Sequence, residues 1–311
     1  MGESTSGGPR EGGRPAGSAA ERIASFRPVH DLDRIRAEAA VIFIVRRRFA
    51  AAVQVRGLLK ATLDLLRTWT QVGSTVESMG FGEILRNERF PRVHMANLAW
   101  VDAAPPGGPA EVLAALDRAY LGTEVRHRHA LFRDAMRAYE LQDAFLALGF
   151  RPTAELALAR LGAPSCIVNP EVTVREVDAA TPEVDFRSVT EAVHRDLGYE
   201  PEDSRQVYEL DRERAARIGE RAYVAYLGSD AAGSYTLWVR GGYALIGNVG
   251  TVPARRMRGI GRTMIHDACT RAIDLHAEWT LLTTALLGTP RTMYETLGFH
   301  PIGEIRGFLR V

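Results

Sequence analysis

The stretch NVGTVPARRMRGIGRTMI occupies residues 248–265. It starts as the end of a β-strand, passes through Pro253 and a run of arginines, and enters a helix at Gly259-Ile260-Gly261. Glycines at a strand-to-helix turn let backbone amides approach a bound anion, and the helix start adds unpaired N–H donors and a positive dipole end. Arg255, Arg256, Arg258 and Arg262 add charge, so the loop suits a pyrophosphate better than an uncharged ligand. Past the glycines, Met264, Ile265, Ala268, Ala272 and Leu275 recur at helical spacing as a buried stripe, with Arg262, Asp267, Arg271 and Asp274 facing water. Neither common nucleotide loop fits. A dinucleotide fold wants Gly-x-Gly-x-x-Gly after its first strand and a P-loop wants Gly-Lys-Ser/Thr; this loop has only Gly259-x-Gly261 and lies late in its domain.

Around it, EVTVREV reads as a strand, FRSVTEAVHRDL and SRQVYELDRERAARI as helices, and RAYVAYLG, AGSYTLWVR and YALIGNVGTV as three antiparallel strands. Turns fall at Gly228–Gly233 and Gly241-Gly242. A helix from about Gly259 to His276, the strand WTLLTTAL, a short helix ending at Gly298 and the strand GEIRGFLRV complete the half. The succession is α+β, a mixed sheet flanked by helices.

Arg256-x-x-Gly259-x-Gly261, followed after a helix and a strand by MYETLGF (293–299), resembles the GCN5-related N-acetyltransferases (GNAT), over roughly residues 171–311. The resemblance implies an acyl-CoA-dependent transferase that holds the pantetheine arm between two splayed strands, with acetyl-CoA or another acyl-CoA as co-substrate. Carried over, the amides of Met257, Arg258, Gly259, Ile260, Gly261 and Arg262 hold the pyrophosphate, and Val252 offers its backbone to the pantetheine. Tyr294 protonates the departing thiolate, which a phenol of pKa ~10 can do. Relatives often place a carboxylate on the strand before the loop as base. Here that strand holds none; Asn248, Thr251, His266 and Glu278 are the polar residues in reach, Asn248 is the candidate catalytic group among them, and deprotonation through water is the default. The acceptor pocket is expected around Phe186–Gly219.

The first half echoes the second. LALGFRPTAELALAR, from Leu146, repeats the pattern of ETLGFHPIGEIRGFLR, from Glu295. Upstream, a helical pattern from about Val29 to Trp69, the strand NLAWVD, a helix with Pro109 at its start, the strand EVRHRHALF, a helix ending at Gly149 and the strand TAELALARL follow in turn. Gly107-Gly108 stands where the loop would be but lacks its arginines, and Phe145 replaces the tyrosine. The expectation is two tandem acyl-CoA N-acyltransferase folds: a degenerate copy over 22–165 and a catalytic one over 171–311, behind a disordered tail over 1–21.

Composition agrees. A chain of 311 residues suits two domains of ~150 residues. With 46% hydrophobic and 25% charged residues and a net charge of +1, nothing points to bulk nucleic-acid or membrane binding. Its single lysine, Lys60, reflects an arginine bias, and its two cysteines make no metal spacing. His127 and His129 share a strand face, but without further ligands no metal site is expected. No apolar run spans a bilayer and no signal peptide is visible, so a cytoplasmic protein is expected, as monomer or homodimer; the family resemblance implies a small-molecule amine as its acceptor. Two alternatives stand beside it: a transferase of this fold using an aminoacyl-tRNA donor, and a non-catalytic acyl-CoA-binding regulatory module.

Overall fold

A computed structural model describes residues 53–178, 181 and 183–311. The tail read over 1–21, and the helix read before residue 53, lie outside the described residues. In chain order the first half contains α1 (53–71), β1 (Thr75–Met79), β2 (Gly82–Arg86), β3 (Ala99–Val101), α2 (Gly108–Ala119), β4 (Arg128–Phe132), α3 (Ala135–Ala147) and β5 (Arg151–Leu161). The second contains β6 (Val172–Glu176), α4 (Glu183–Asp196), α5 (Pro201–Ile218), β7 (Arg221–Leu227), β8 (Asp230–Arg240), β9 (Tyr243–Thr251), α6 (Ile260–Asp274), β10 (Trp279–Ala285), α7 (Thr289–Thr296) and β11 (His300–Arg310). From α1 and from α5 onward the two halves run in one order: helix, three strands, helix, strand, helix, strand. The tandem repeat is therefore structural as well as textual.

The repeated Leu-Gly-Phe is a helix stop used twice. Gly149 and Gly298 both adopt φ +80, the left-handed conformation that glycine reaches at no steric cost. The phenylalanine amide that follows bonds back across the turn, Phe150 to Phe145 and Phe299 to Tyr294, each at 3.1 Å. Both phenylalanine rings are then buried.

The strands form one sheet of eleven in the order β1-β2-β3-β4-β11-β5-β10-β9-β8-β7-β6. Each half has surrendered its last strand to the other: β11 pairs with β4, β5 pairs with β10, and the two pair with each other, all antiparallel. Two pairs are parallel, β3 with β4 and β9 with β10, one at the same place in each half. Arg160 at the end of β5 seals the exchange. Its Nη1 donates to the Leu297 carbonyl at 2.7 Å and its Nη2 to the Ala163 carbonyl. On one sheet face Leu58, Leu63 and Leu65 of α1 pack with Trp100, Leu131, Leu245, Leu281 and Ile305, so this core layer draws on both halves. On the other face α6 and α7 cover the second half, and Phe132, Phe145, Phe150 and Phe308 fill the first. Among the described residues no helix is long and apolar enough to cross a membrane.

Candidate active site

The ladder between β9 and β10 runs only from Tyr243–Trp279 to Leu245–Leu281. Both strands continue, β9 to Thr251 and β10 to Ala285, each held only by its outer neighbour. A bulge helps to part them: the β8–β9 register shifts near Gly247, where Asn248 takes φ +49. A bulge of this kind re-aims the side chain it carries. The result is a slot between two parallel strands with unpaired backbone groups along β9.

At the end of that slot the chain turns through Pro253–Arg255 and enters α6. Met257 at φ +61 and the N-cap Gly259 at φ +75 make the left-handed turns, and no side chain caps the helix. The first amides of α6 are thus open to an anion, as the glycine pattern suggested. Asn169 braces the loop from the side, donating from Nδ2 to the Arg258 carbonyl at 2.9 Å. The four arginines divide. Arg255 and Arg256 are committed to Asp230 and Asp196, whereas Arg258 and Arg262 are exposed and have no ion-pair partner among the described residues. A Cβ at Gly261 would lie 3.2 Å from Met293 Sδ, so this glycine lets α7 close onto the loop.

Val252 directly follows β9, and Met257 to Arg262 form the turn and the first residues of α6. Tyr294 sits on α7, 5% exposed, in the cluster of Met264, Leu282 and Phe299 on the α6 side of the sheet. Its hydroxyl bonds to no described residue, and burial pushes its pKa up to about 12. Asn248 lies on the other side: its Nδ2 donates to Asp211 Oδ2 of α5 at 3.0 Å. The pair predicted to act together thus flanks the slot from the two faces of the sheet. Of the other polar candidates, His266 is half-buried on α6 and Glu278 is exposed before β10.

On the Asn248 side a cavity of about 660 Å³ opens between the halves. Trp69 of α1, Trp100 of β3 and His129 of β4 line it from the first half, and Tyr199, Asp211 and Thr283 from the second. Asp211 was invisible to the sequence reading because it sits on a helix, not on the strand before the loop. Burial pushes its carboxyl up to about 7, against the pull of Arg214, whose Nη1 lies 3.6 Å from Oδ1. Arg214 is fully buried, stacks 3.8 Å over the Trp69 ring and donates to the Met95 carbonyl at 2.9 Å; burial lowers its pKa to about 10. Glu220, raised by burial, accepts from Trp69 Nε1 at 3.3 Å. His94, His127 and His129 cluster nearby, with the first two rings 4.3 Å apart. Burial holds His127 at about 3 and His129 at about 4, so both are neutral, and no group of three metal-ligating side chains occurs among the described residues.

The first half has closed every one of these openings. β3 and β4 stay paired to their ends, and Arg133 N continues the ladder by donating to the Val101 carbonyl at 3.0 Å. The Glu111 carboxylate folds back to accept from Gly107 N at 2.8 Å, placing the helix's own anion where an external one would bind. Phe145, in place of the tyrosine, stacks 4.2 Å from Phe308 of the exchanged strand.

The chain matches no family model. No curated protein matches it either. Among solved structures, a GCN5-related N-acetyltransferase from Kribbella flavida superposes with a TM-score of 0.58 at 19% identity, over 82% of this chain and 94% of that one. One from Sphaerobacter thermophilus gives 0.51 at 16% identity, over 74% and 76%. A conserved protein of unknown function from Staphylococcus epidermidis ATCC 12228 gives 0.60 at 13% identity, over 77% and 94%. The chain has the acyl-CoA N-acyltransferase fold. Specifically, it carries the GNAT fold twice in tandem, as its repeated element order and paired parallel strands show.

Proposed function

We propose that the chain is an acyl-CoA-dependent N-acyltransferase that binds its donor in the second half and its acceptor in the cavity between the halves. One observation carries this reading: the β9–β10 slot ends at an uncapped helix N-terminus flanked by Arg258 and Arg262, which have no ion-pair partner among the described residues. The residues present fit the donor. Open amides from Met257 to Arg262, with Arg258 and Arg262, suit a pyrophosphate; the unpaired edge of β9 up to Val252 suits an amide-bearing pantetheine arm. Bound there, acetyl-CoA or another acyl-CoA supplies an activated thioester to a nucleophile arriving from the cavity. Tyr294, protonated at any physiological pH, is the acid for the leaving thiolate, and Asn248 orients polar groups on the acceptor side.

Acyl-CoA binding in the second half also separates this reading from an aminoacyl-tRNA donor. Calorimetric titration with acetyl-CoA should give one site per chain, abolished by Gly259→Glu. Two sites would return a donor role to the first half, and no binding at all would end the acyl-CoA reading.

A further inference from the structure

The cavity contains a buried charge cluster that does not balance. Asp211 and Glu220 both line it, and Arg214 is the one cation set against them: its Nη1 is 3.6 Å from Asp211 Oδ1. Glu220 has no ion-pair partner among the described residues; its polar neighbours are the Trp69 indole and the Thr236 hydroxyl. The cluster is also incomplete in its hydrogen bonds. Arg214 is 0% exposed, yet its Nε and Nη1 have no hydrogen-bond partner. Those two groups are donors, which an ammonium cannot complete, so the feature of the cluster that calls for a cationic ligand is its second carboxylate. Further out, Glu155 and Asp203 add two carboxylates, and Arg92 is already committed to Asp203. Two histidines line the cavity, His94 and His129; burial lowers the pKa of both, that of His129 to about 4. Much of the remaining wall is apolar, with Leu66, Trp100, Leu131, Leu245, Ile305 and Leu309, and Thr153, Tyr199 and Thr283 add hydroxyls.

We infer that Asp211, held by Asn248 beside Glu220, receives the acceptor's ammonium group and takes its proton, and that the acceptor is a cationic amine on an apolar or aromatic body. This rests on the acyl-transfer reading for the step that follows but not for the binding. A carboxylate short of one cation attracts an ammonium ion, and burial magnifies the attraction. Asn248 links the two chemistries, since its backbone lies on the open β9 edge and its side chain fixes the Asp211 carboxylate. The amine gives one proton to Asp211. Its freed lone pair forms the C–N bond at the thioester carbonyl, the C–S electron pair leaves with sulfur, and the second nitrogen proton replaces the one that Tyr294 gives to the thiolate. The proton on Asp211 returns to solvent. Burial supports the assignment by placing the Asp211 carboxyl about 7, close to the optimum for a base at neutral pH.

The test uses the full chain without donor, with phenethylamine and its neutral counterpart phenethyl alcohol as probes and Trp69 and Trp100 as fluorescent reporters. At pH 8 the amine should bind at least about tenfold tighter than the alcohol, as expected when a buried carboxylate meets its counter-charge. That advantage should fall about tenfold per pH unit below pH 7, as Asp211 takes up its proton. In Asp211→Asn the advantage should vanish at every pH. Glu220→Gln, a second variant with little volume change, should reduce it without flattening the pH profile, and thermal melting reports whether either variant still folds. Equal affinity for amine and alcohol, no binding of the amine at pH 8, or an unchanged pH profile in a folded Asp211→Asn overturns the inference. Loss of acetyl-CoA binding in the separate titration overturns the acyl-transfer reading alone.

Discussion

Replacing Tyr294 by Phe should slow the protein and leave its stability nearly unchanged. The ring is buried on α7, but the hydroxyl bonds to no described residue and is not sealed from solvent, and burial of the side chain pushes its pKa up to about 12. Removing a hydroxyl that is still hydrated leaves no buried group unpaired. Tyr294→Phe should therefore change stability by no more than about 0.5 kcal/mol. A general acid contributes about 10²–10⁴ in rate, so thiol release from acetyl-CoA should fall by that factor, with calorimetric affinity for the donor unchanged. Because the phenol stays protonated, the loss should be the same at every pH from 6 to about 9. Phenethylamine serves as acceptor in the assay. A variant that is less stable than the parent shows that the hydroxyl has a structural partner; one that is equally fast shows that Tyr294 is not the acid.

Three further outcomes follow from the geometry. Glu111→Ala frees the Gly107 amide that the carboxylate now occupies and should cost about 0.5–1.5 kcal/mol; acetyl-CoA stoichiometry should stay at one, because the β3–β4 pair remains closed. A second site in that titration would show that the self-cap alone silences the first half. The fragment 171–311 should give no cooperative melt, since β10 loses β5 and β11 loses both neighbours; a soluble, cooperatively melting fragment would show that the exchange is dispensable. Asp211→Asn should raise the melting temperature. The carboxyl's folded pKa is raised, so its ionisation weakens the fold as pH rises from its unfolded value of ~3.9 toward 7. The gain should therefore grow between about pH 4 and pH 7 and level off above, and a gain that is constant across that range refutes the buried-carboxylate account.

Much of the second half was legible because its signals are local. Strand alternation, the Gly259-x-Gly261 turn and the Leu-Gly-Phe stop each act within a few residues, and α6, β10 and α7 fall where the sequence placed them. The β1–β2 hairpin was missed. Its stretch STVESMGFGEIL (74–85) alternates weakly, and all but one of the β1 residues are exposed, so no apolar face announces the strand. The arginines were legible as charge but not as availability. That Arg255 and Arg256 are neutralised while Arg258 and Arg262 are not depends on Asp230 and Asp196, which only folding brings near. Asp211 was beyond reach for the same reason. It lies 37 positions from Asn248, on a helix whose sequence reads as an ordinary charged surface.

The exchange of β5 and β11 also explains why a half whose own slot is closed persists as a recognisable fold. The echo of LALGFRP in LGFHP made the halves look like independent domains, one silent and one equipped. In the structure β10, one wall of the β9–β10 slot, is supported on its outer side by a strand of the first half from Glu155 to Leu161. If β5 were lost, β10 would have an unpaired edge on both sides of the slot, and nothing would hold it apart from β9. The first half also lends Trp69, Trp100 and His129 to the cavity. Its own slot could close, cap itself with Glu111 and fill with Phe145 without harm. Its last strand and its cavity wall could not be given up, because the other half's sheet and the cavity beside it are built from them.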